Sequence, residues 1–119
     1  MILVDSSVWI DHFRKADPRL EALLIRELVS LHSFVLGELA CGNLTNRSAA
    51  LSKLRLLPTA SRANVEDVHH LLESRRLWGR GLGWIDLHLL TSALIDRCRL
   101  WTNDRALGSV AGSLGIGFE

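Results

Sequence analysis

The chain has 119 residues, 48% of them hydrophobic and 23% charged, with a formal net charge of +1. Those values describe an ordinary globular domain and exclude a disordered or strongly polyionic protein. A length in this range predicts one domain over residues 1–119, with enough chain to bury a core.

The first element is a short buried strand, the apolar run Met1-Ile2-Leu3-Val4 ending at Asp5. No basic leader precedes it, so a signal peptide is not expected and the cytoplasm is the default compartment. Ser6 and Ser7 are suited to cap a helix carrying Val8, Trp9, Ile10 and Phe13. Asp17-Pro18 marks a boundary before a second helix over about 19–27, and residues 28–32 form a candidate strand. Next comes Phe34-Val35-Leu36-Gly37-Glu38-Leu39-Ala40-Cys41, a helix that stops near Gly42. Its composition reads as too apolar for a solvated face, which makes Glu38 conspicuous.

Residues 46–56 look helical and Pro58 ends them; a further helix fits 64–77, with Val65, Val68, Leu71, Leu72 and Leu77 at helical spacing. Leu72, Leu77 and Leu82 read as core or dimer contact. Gly79, Gly81 and Gly83 make 78–83 a loop, flanked by Trp78 and Trp84. Those indoles either anchor the loop or stack on a base. A strongly apolar helix over 84–97 opens with Asp86, a strand follows over 99–102, a helix over 104–114, and a last short strand over 116–118. Strands alternating with helices imply an α/β fold with a parallel sheet covered on both faces. No apolar run approaches the ~18 residues of a membrane span.

Charge is unevenly placed. Residues 47–80 hold seven basic residues against three acidic ones, a local net of +4, while both flanking segments are slightly acidic. The middle therefore reads as a basic contact surface, unless its arginines merely solvate helix faces. Cys41 and Cys98 have no metal-ligand spacing and read as small core hydrophobes in helical stretches. The five histidines form no metal pair, and no serine lies in a nucleophile elbow.

Asp5, Glu38, Asp86 and Asp104 each stand where an apolar segment meets a loop or helix start. In open parallel sheets, ligands bind beyond the carboxyl ends of the strands, and this topology sends all four acids there. Four carboxylates at ~6–8 Å would repel by more than about 10 kcal/mol in total at an effective dielectric near 20. Protonation or a cation must relieve that. Oxygen-only ligands select a hard ion such as Mg²⁺ or Mn²⁺, and such an ion suits phosphodiester hydrolysis. Ser7 and Thr102 either support the acids or a metal-bound water, or serve as ordinary helix-end hydroxyls. Two rival readings remain open at this point. One is a phosphatase or phosphotransferase with Asp5 as nucleophile, which lacks a second acid two residues on and has only Lys15 and Lys53 for lysines. The other is a binding module with a purely structural metal.

The segments MILVDSSVWIDHF, VLGELACGNL, GLGWIDLHLLTSAL and WTNDRALG, in that order, resemble the PIN domain and, within it, the small VapC-type toxins of bacterial toxin–antitoxin pairs. The resemblance spans nearly the whole chain. It implies a Rossmann-like three-layer α/β/α sandwich and Mg²⁺- or Mn²⁺-dependent endoribonuclease activity restraining translation or growth. The family's acidic site carries over onto Asp5, Glu38, Asp86 and Asp104, with weaker support from Ser7 and Thr102. It also implies a homodimer, an RNA substrate and a VapB-like antitoxin that blocks the site. A PIN nuclease of RNA processing is the alternative within the family.

Overall fold

The computed structural model describes residues 1–119. In chain order the elements are β1 (Ile2–Val4), α1 (Ser6–Arg14), α2 (Pro18–Ile25), β2 (Val29–Ser30), α3 (Ser33–Cys41), α4 (Arg47–Leu54), α5 (Val65–Ser74), α6 (Trp84–Asp96), β3 (Arg99–Trp101) and α7 (Arg105–Ser113). The three strands form one parallel sheet in the order β2-β1-β3. Leu3 and Val4 are neighbours on β1 and point to opposite faces, yet both are wholly buried, as are Leu100 and Trp101 on β3. Helices therefore cover the sheet on both sides, the three-layer α/β/α arrangement.

The helix ends follow local chemistry. Asp17 caps α2 by accepting from the backbone N–H groups of Arg19 and Leu20, with Pro18 at the first helical position. Asn64 caps α5 through Asp67 N–H. α5 and α6 pack against one another, and the apolar face of α6 from Leu87 to Ala93 enters the core. The loop between them turns at Gly79 and Gly81, both at positive φ. A side chain at Gly81 would stand 3.3 Å from the Ala106 methyl, so this loop lies directly on the start of α7.

Three expectations are corrected. The segment 116–118 is not a strand: it is reduced to a single bridge between Leu100 and Gly117. Gly115 at positive φ turns the chain there, and Gly117 lies so close to the backbone of Gly112 that the segment runs flat on α7. Cys41 is exposed, because it ends α3 about 200° round the helix from buried Leu39. Cys98 is buried, but in the turn before β3 rather than in a helix. The candidate strand over 28–32 shortens to Val29–Ser30, and a bridge from Leu31 to Thr59 extends its outer edge.

Candidate functional site

β1 delivers Asp5 to the carboxyl end of the sheet, and its carboxylate is almost wholly buried, 6% exposed. Ser6 and Ser7 do not cap α1 as expected; they are its first helical residues, and Asp5 holds the cap position without a side-chain cap bond. The Asp5 carboxylate is instead a receiver. Its Oδ2 accepts from the Ser7 hydroxyl at 2.8 Å and from the Thr102 hydroxyl at 2.7 Å, and its Oδ1 from Ser6 at 3.4 Å. Ser7 and Thr102 also stand 3.2 Å apart. Each hydroxyl has one proton, so while both donate to Asp5 neither donates to the other. Their free lone pairs are used too: Ser7 Oγ accepts from Asn103 N–H at 2.9 Å, and Thr102 Oγ1 from Asp104 N–H at 3.0 Å. The turn after β3 is thus tied to the turn after β1 by two hydroxyls in fixed orientation.

Asp104 occupies the cap of α7, where its Oδ1 accepts from Leu107 N–H at 3.2 Å. Asp86 is the third residue of α6 and reaches back to Gly83 N–H at 2.9 Å, the acidic half of a capping box. Both carboxylates sit at positive helix ends, which offsets part of their charge. Asp86 is half-buried and Asp104 exposed.

Glu38 differs from its sequence-based placing. It is exposed: α3 buries the stripe Val35 and Leu39, and Glu38 lies off it, toward Asp5 and Asp86. Partial burial still pushes its carboxyl above the ordinary range, and the charges of Asp5 and Asp86 add to that against a lowering from the Ser6 hydroxyl. Asp86 is also raised, first by burial and then by Asp5 and Asp104, while its bond to Gly83 pulls the other way. Glu38 thus feels Asp5 and Asp86, and Asp86 feels Asp5 and Asp104, so the four acids are linked through Asp86. With Glu38 and Asp104 open to solvent, their repulsion is screened well below the total expected for four buried charges.

The donor set is all carboxylate oxygen, which suits a hard cation. No three acidic, histidine or cysteine side chains stand close enough to enclose a bare ion. Mg²⁺ needs no such enclosure, since it keeps several waters and takes one or two carboxylates directly. The residues present fit a hydrated divalent ion.

Two residues near the acids were given no role from sequence. Asn103 ties the β3 turn to α1 twice, through Ser7 and through its side-chain donation to Asp11 Oδ2 at 2.8 Å. Asp11 is exposed but engaged by that bond, and nothing in its sequence setting marked it, unlike Asn103. For Asn103 the only available signal was its place between Thr102 and Asp104. His69 and His70 are exposed, while His32 and His88 are buried outside the acidic cluster.

A family model described as "PIN domain" matches residues 2–113. Over 117 residues, 98% of this chain and 94% of the relative, the chain is 44% identical to Ribonuclease VapC32 of two Mycobacterium tuberculosis strains. Among solved structures it is similar to M. tuberculosis VapC20, titled a sarcin-ricin loop cleaving toxin, with a TM-score of 0.62 at 17% identity over 92% of this chain and 95% of that one. It is similar as well to PAE2754 from Pyrobaculum aerophilum, with a TM-score of 0.61 at 18% identity over 91% of this chain and 77% of that one. At these identities the two structures speak to the fold.

Proposed function

The chain belongs to the PIN-domain family, and from that premise we propose that it is a metal-dependent endoribonuclease serving as the toxin of a type II toxin–antitoxin pair. The observation that carries this reading is the buried Asp5 carboxylate, held by two hydroxyls, with Glu38 and Asp86 from separate segments in its field and Asp104 tied to the same Thr102 hydroxyl. The VapC32 relative, similar over almost the full chain and named a ribonuclease, supports the same reaction class.

Asp5, Glu38, Asp86 and Asp104 would hold Mg²⁺ or Mn²⁺. When bound, such an ion lowers the pKa of a bound water and neutralises charge on a phosphodiester. Asp5 is the fixed member, because two hydroxyls lock its orientation and leave Oδ1 the freer atom. Asp86 and Asp104 are held at helix ends, each by a bond from a backbone N–H that it gives up if it swings away. Glu38, exposed and raised in pKa, is the acid best placed to take a proton from an attacking water. Basic residues of 47–80 would hold flanking phosphates.

The same field suits an inhibitor. A VapB-like antitoxin would lay an apolar segment on the protein and insert an arginine or lysine among the acids, a charge-assisted pairing. A homodimer in the cytoplasm completes the reading.

Purified protein should cut RNA with Mg²⁺ or Mn²⁺ and stop when EDTA is added. Induction in bacteria should arrest growth unless the antitoxin is co-expressed. Full RNA cleavage in excess chelator would refute the metal role. Growth unaffected by an active nuclease would point to RNA processing instead.

A further inference from the structure

A line of rings crosses the molecule beside the acidic residues. His69 on α5 lies 5.0 Å from Trp84 on α6, and Trp84 meets His88 edge-to-face at 5.0 Å. His88 meets Phe34 of α3 at 4.9 Å, Phe34 meets His32 at 5.0 Å, and the Arg62 guanidinium stands 5.7 Å from the Phe34 ring centre. Topology places this line on the acidic side of the sheet. α3 begins after the carboxyl end of β2, and α6 runs back to the start of β3, so both helices start on the side where Asp5 emerges.

The line shares its helices with two of the acids. Phe34 and Glu38 are four residues apart on α3 and so lie on one face. Trp84 and Asp86 share the first turn of α6, an axial step of about 3 Å, but lie about 200° apart round the helix, so the indole flanks the acidic end from another side of that turn. His32 and His88 are buried, whereas Trp84 is 42% exposed with exposed His69 beside it, and Arg62 is exposed at the Phe34 end of the line. An exposed tryptophan clamped between two rings has little rotamer freedom left to lose on binding. Trp78, the other exposed tryptophan, is 57% exposed in the glycine loop and lacks these two ring contacts.

We propose that Trp84 is a base-stacking subsite for single-stranded RNA at the acidic end of the sheet, with Arg62, at the far end of the ring line, taking a phosphate further along the strand. This rests on the ribonuclease reading and adds to it a determinant of how the strand is held. The surroundings favour RNA over a second copy of the chain. The exposed indole is flanked by two imidazoles, and the ring line it opens ends at the Arg62 guanidinium over Phe34, so a flat stacking surface and a cation for a phosphate lie along one line.

The test uses the full chain and a short single-stranded RNA of mixed sequence, in chelator so that binding is read without cleavage. RNA should quench tryptophan fluorescence in wild type and in Trp78→Phe, but not in Trp84→Phe. Trp84→Ala should weaken binding roughly 5- to 150-fold, the range for one stacked base, and Trp84→Phe much less. Scanning a single abasic nucleotide along the RNA should find one position whose loss in wild type matches that of Trp84→Ala and adds nothing in that variant. With metal restored, Trp84→Ala should raise KM more than it lowers kcat. Equal binding by wild type and Trp84→Ala, or abasic losses that add at every position, would overturn the subsite while leaving the ribonuclease intact. A Trp84→Ala protein that changes only its oligomeric state in sedimentation would assign the patch to contact between copies. Wild-type protein that neither binds nor cuts RNA would overturn both readings.

Discussion

Asp5 and Thr102, separated by 97 positions in the chain, meet at 2.7 Å, and that bond joins the chain segments that carry two of the four acids, Asp5 and Asp104. Thr102 also receives Asp104 N–H, so one hydroxyl orients two acids. Thr102→Ala removes a donor from a buried carboxylate and an acceptor from the start of α7. It should cost roughly 1–3 kcal/mol in urea unfolding, by the usual penalty for an unpaired buried group. RNA cleavage should fall roughly 10- to 100-fold, as for lost supporting contacts around metal ligands. Thr102→Ser should restore most of both, and failure of that rescue would mean that the methyl group, not the hydroxyl, matters.

The acids differ in what their replacement disturbs. Asp104→Ala should lose cleavage and also about 1 kcal/mol of stability, because it uncaps α7. Asp104→Asn keeps an acceptor for Leu107 N–H and should lose cleavage with near-wild-type melting. Asp5→Asn should likewise abolish activity while circular dichroism stays that of the parent. Cleavage surviving in both Asn variants would remove these residues from the reaction.

Asp86 is raised in pKa by burial and by its acidic neighbours, so its charge strains the metal-free fold. Asp86→Asn retains an oxygen for Gly83 N–H and removes that charge. Its melting temperature without metal should rise by a few degrees, and the gain on adding Mn²⁺ should shrink. Equal destabilisation with and without Mn²⁺ would instead assign Asp86 a purely structural bond.

His32 gives the fold an acid limit. Burial first, then the charges of His88 and Arg62, lower its pKa from 6.5 to about 4, with Asp96 opposing. The unfolded chain then binds the extra proton between pH 6.5 and about 4, so stability falls as pH drops through that window, by up to about 3 kcal/mol. Glu38 and Asp86 act oppositely: their raised folded pKa values take stability away as pH rises above the ordinary carboxylate range. His32→Asn keeps the cap acceptor for Phe34 N–H and isolates the imidazole. Its unfolding free energy should fall less steeply than wild type's between pH 6.5 and 4; parallel curves would exclude His32 as the cause.

The nearness of Asp5, Asp86 and Asp104 was legible in the sequence because each lies at the edge of an apolar run, and the alternation of strands and helices told where those edges meet; Glu38 stood out only as a charge inside such a run. Its exposure was not legible. The average composition of α3 is apolar, but only the stripe of Val35 and Leu39 is buried, and averaging hides a stripe. The hydroxyl bridge was half legible: Ser7 and Thr102 stood out as neighbours of acids, but which oxygen each meets depends on strand pairing across the whole chain. The last strand was overread because Ile116 and Phe118 alternate correctly while Gly115 and Gly117 set the backbone path. The ring line from His69 to His32 joins three helices and leaves no local trace beyond Trp84.

The two single-residue bridges at the borders of the sheet bear on solubility. A three-stranded parallel sheet has two outer strands, each a row of unpaired amides able to recruit another chain. Here Leu31 is covered by Thr59 on one border. On the other, Leu100 donates to Ile116 O at 2.8 Å and accepts from Phe118 N–H at 3.0 Å. Arg19 pins the second clip by lying over the rings of Trp101 and Phe118. Prising residues 116–118 away would uncover β3 as an adhesive strand, so proline substitution of Phe118 should produce aggregates long before it unfolds the core.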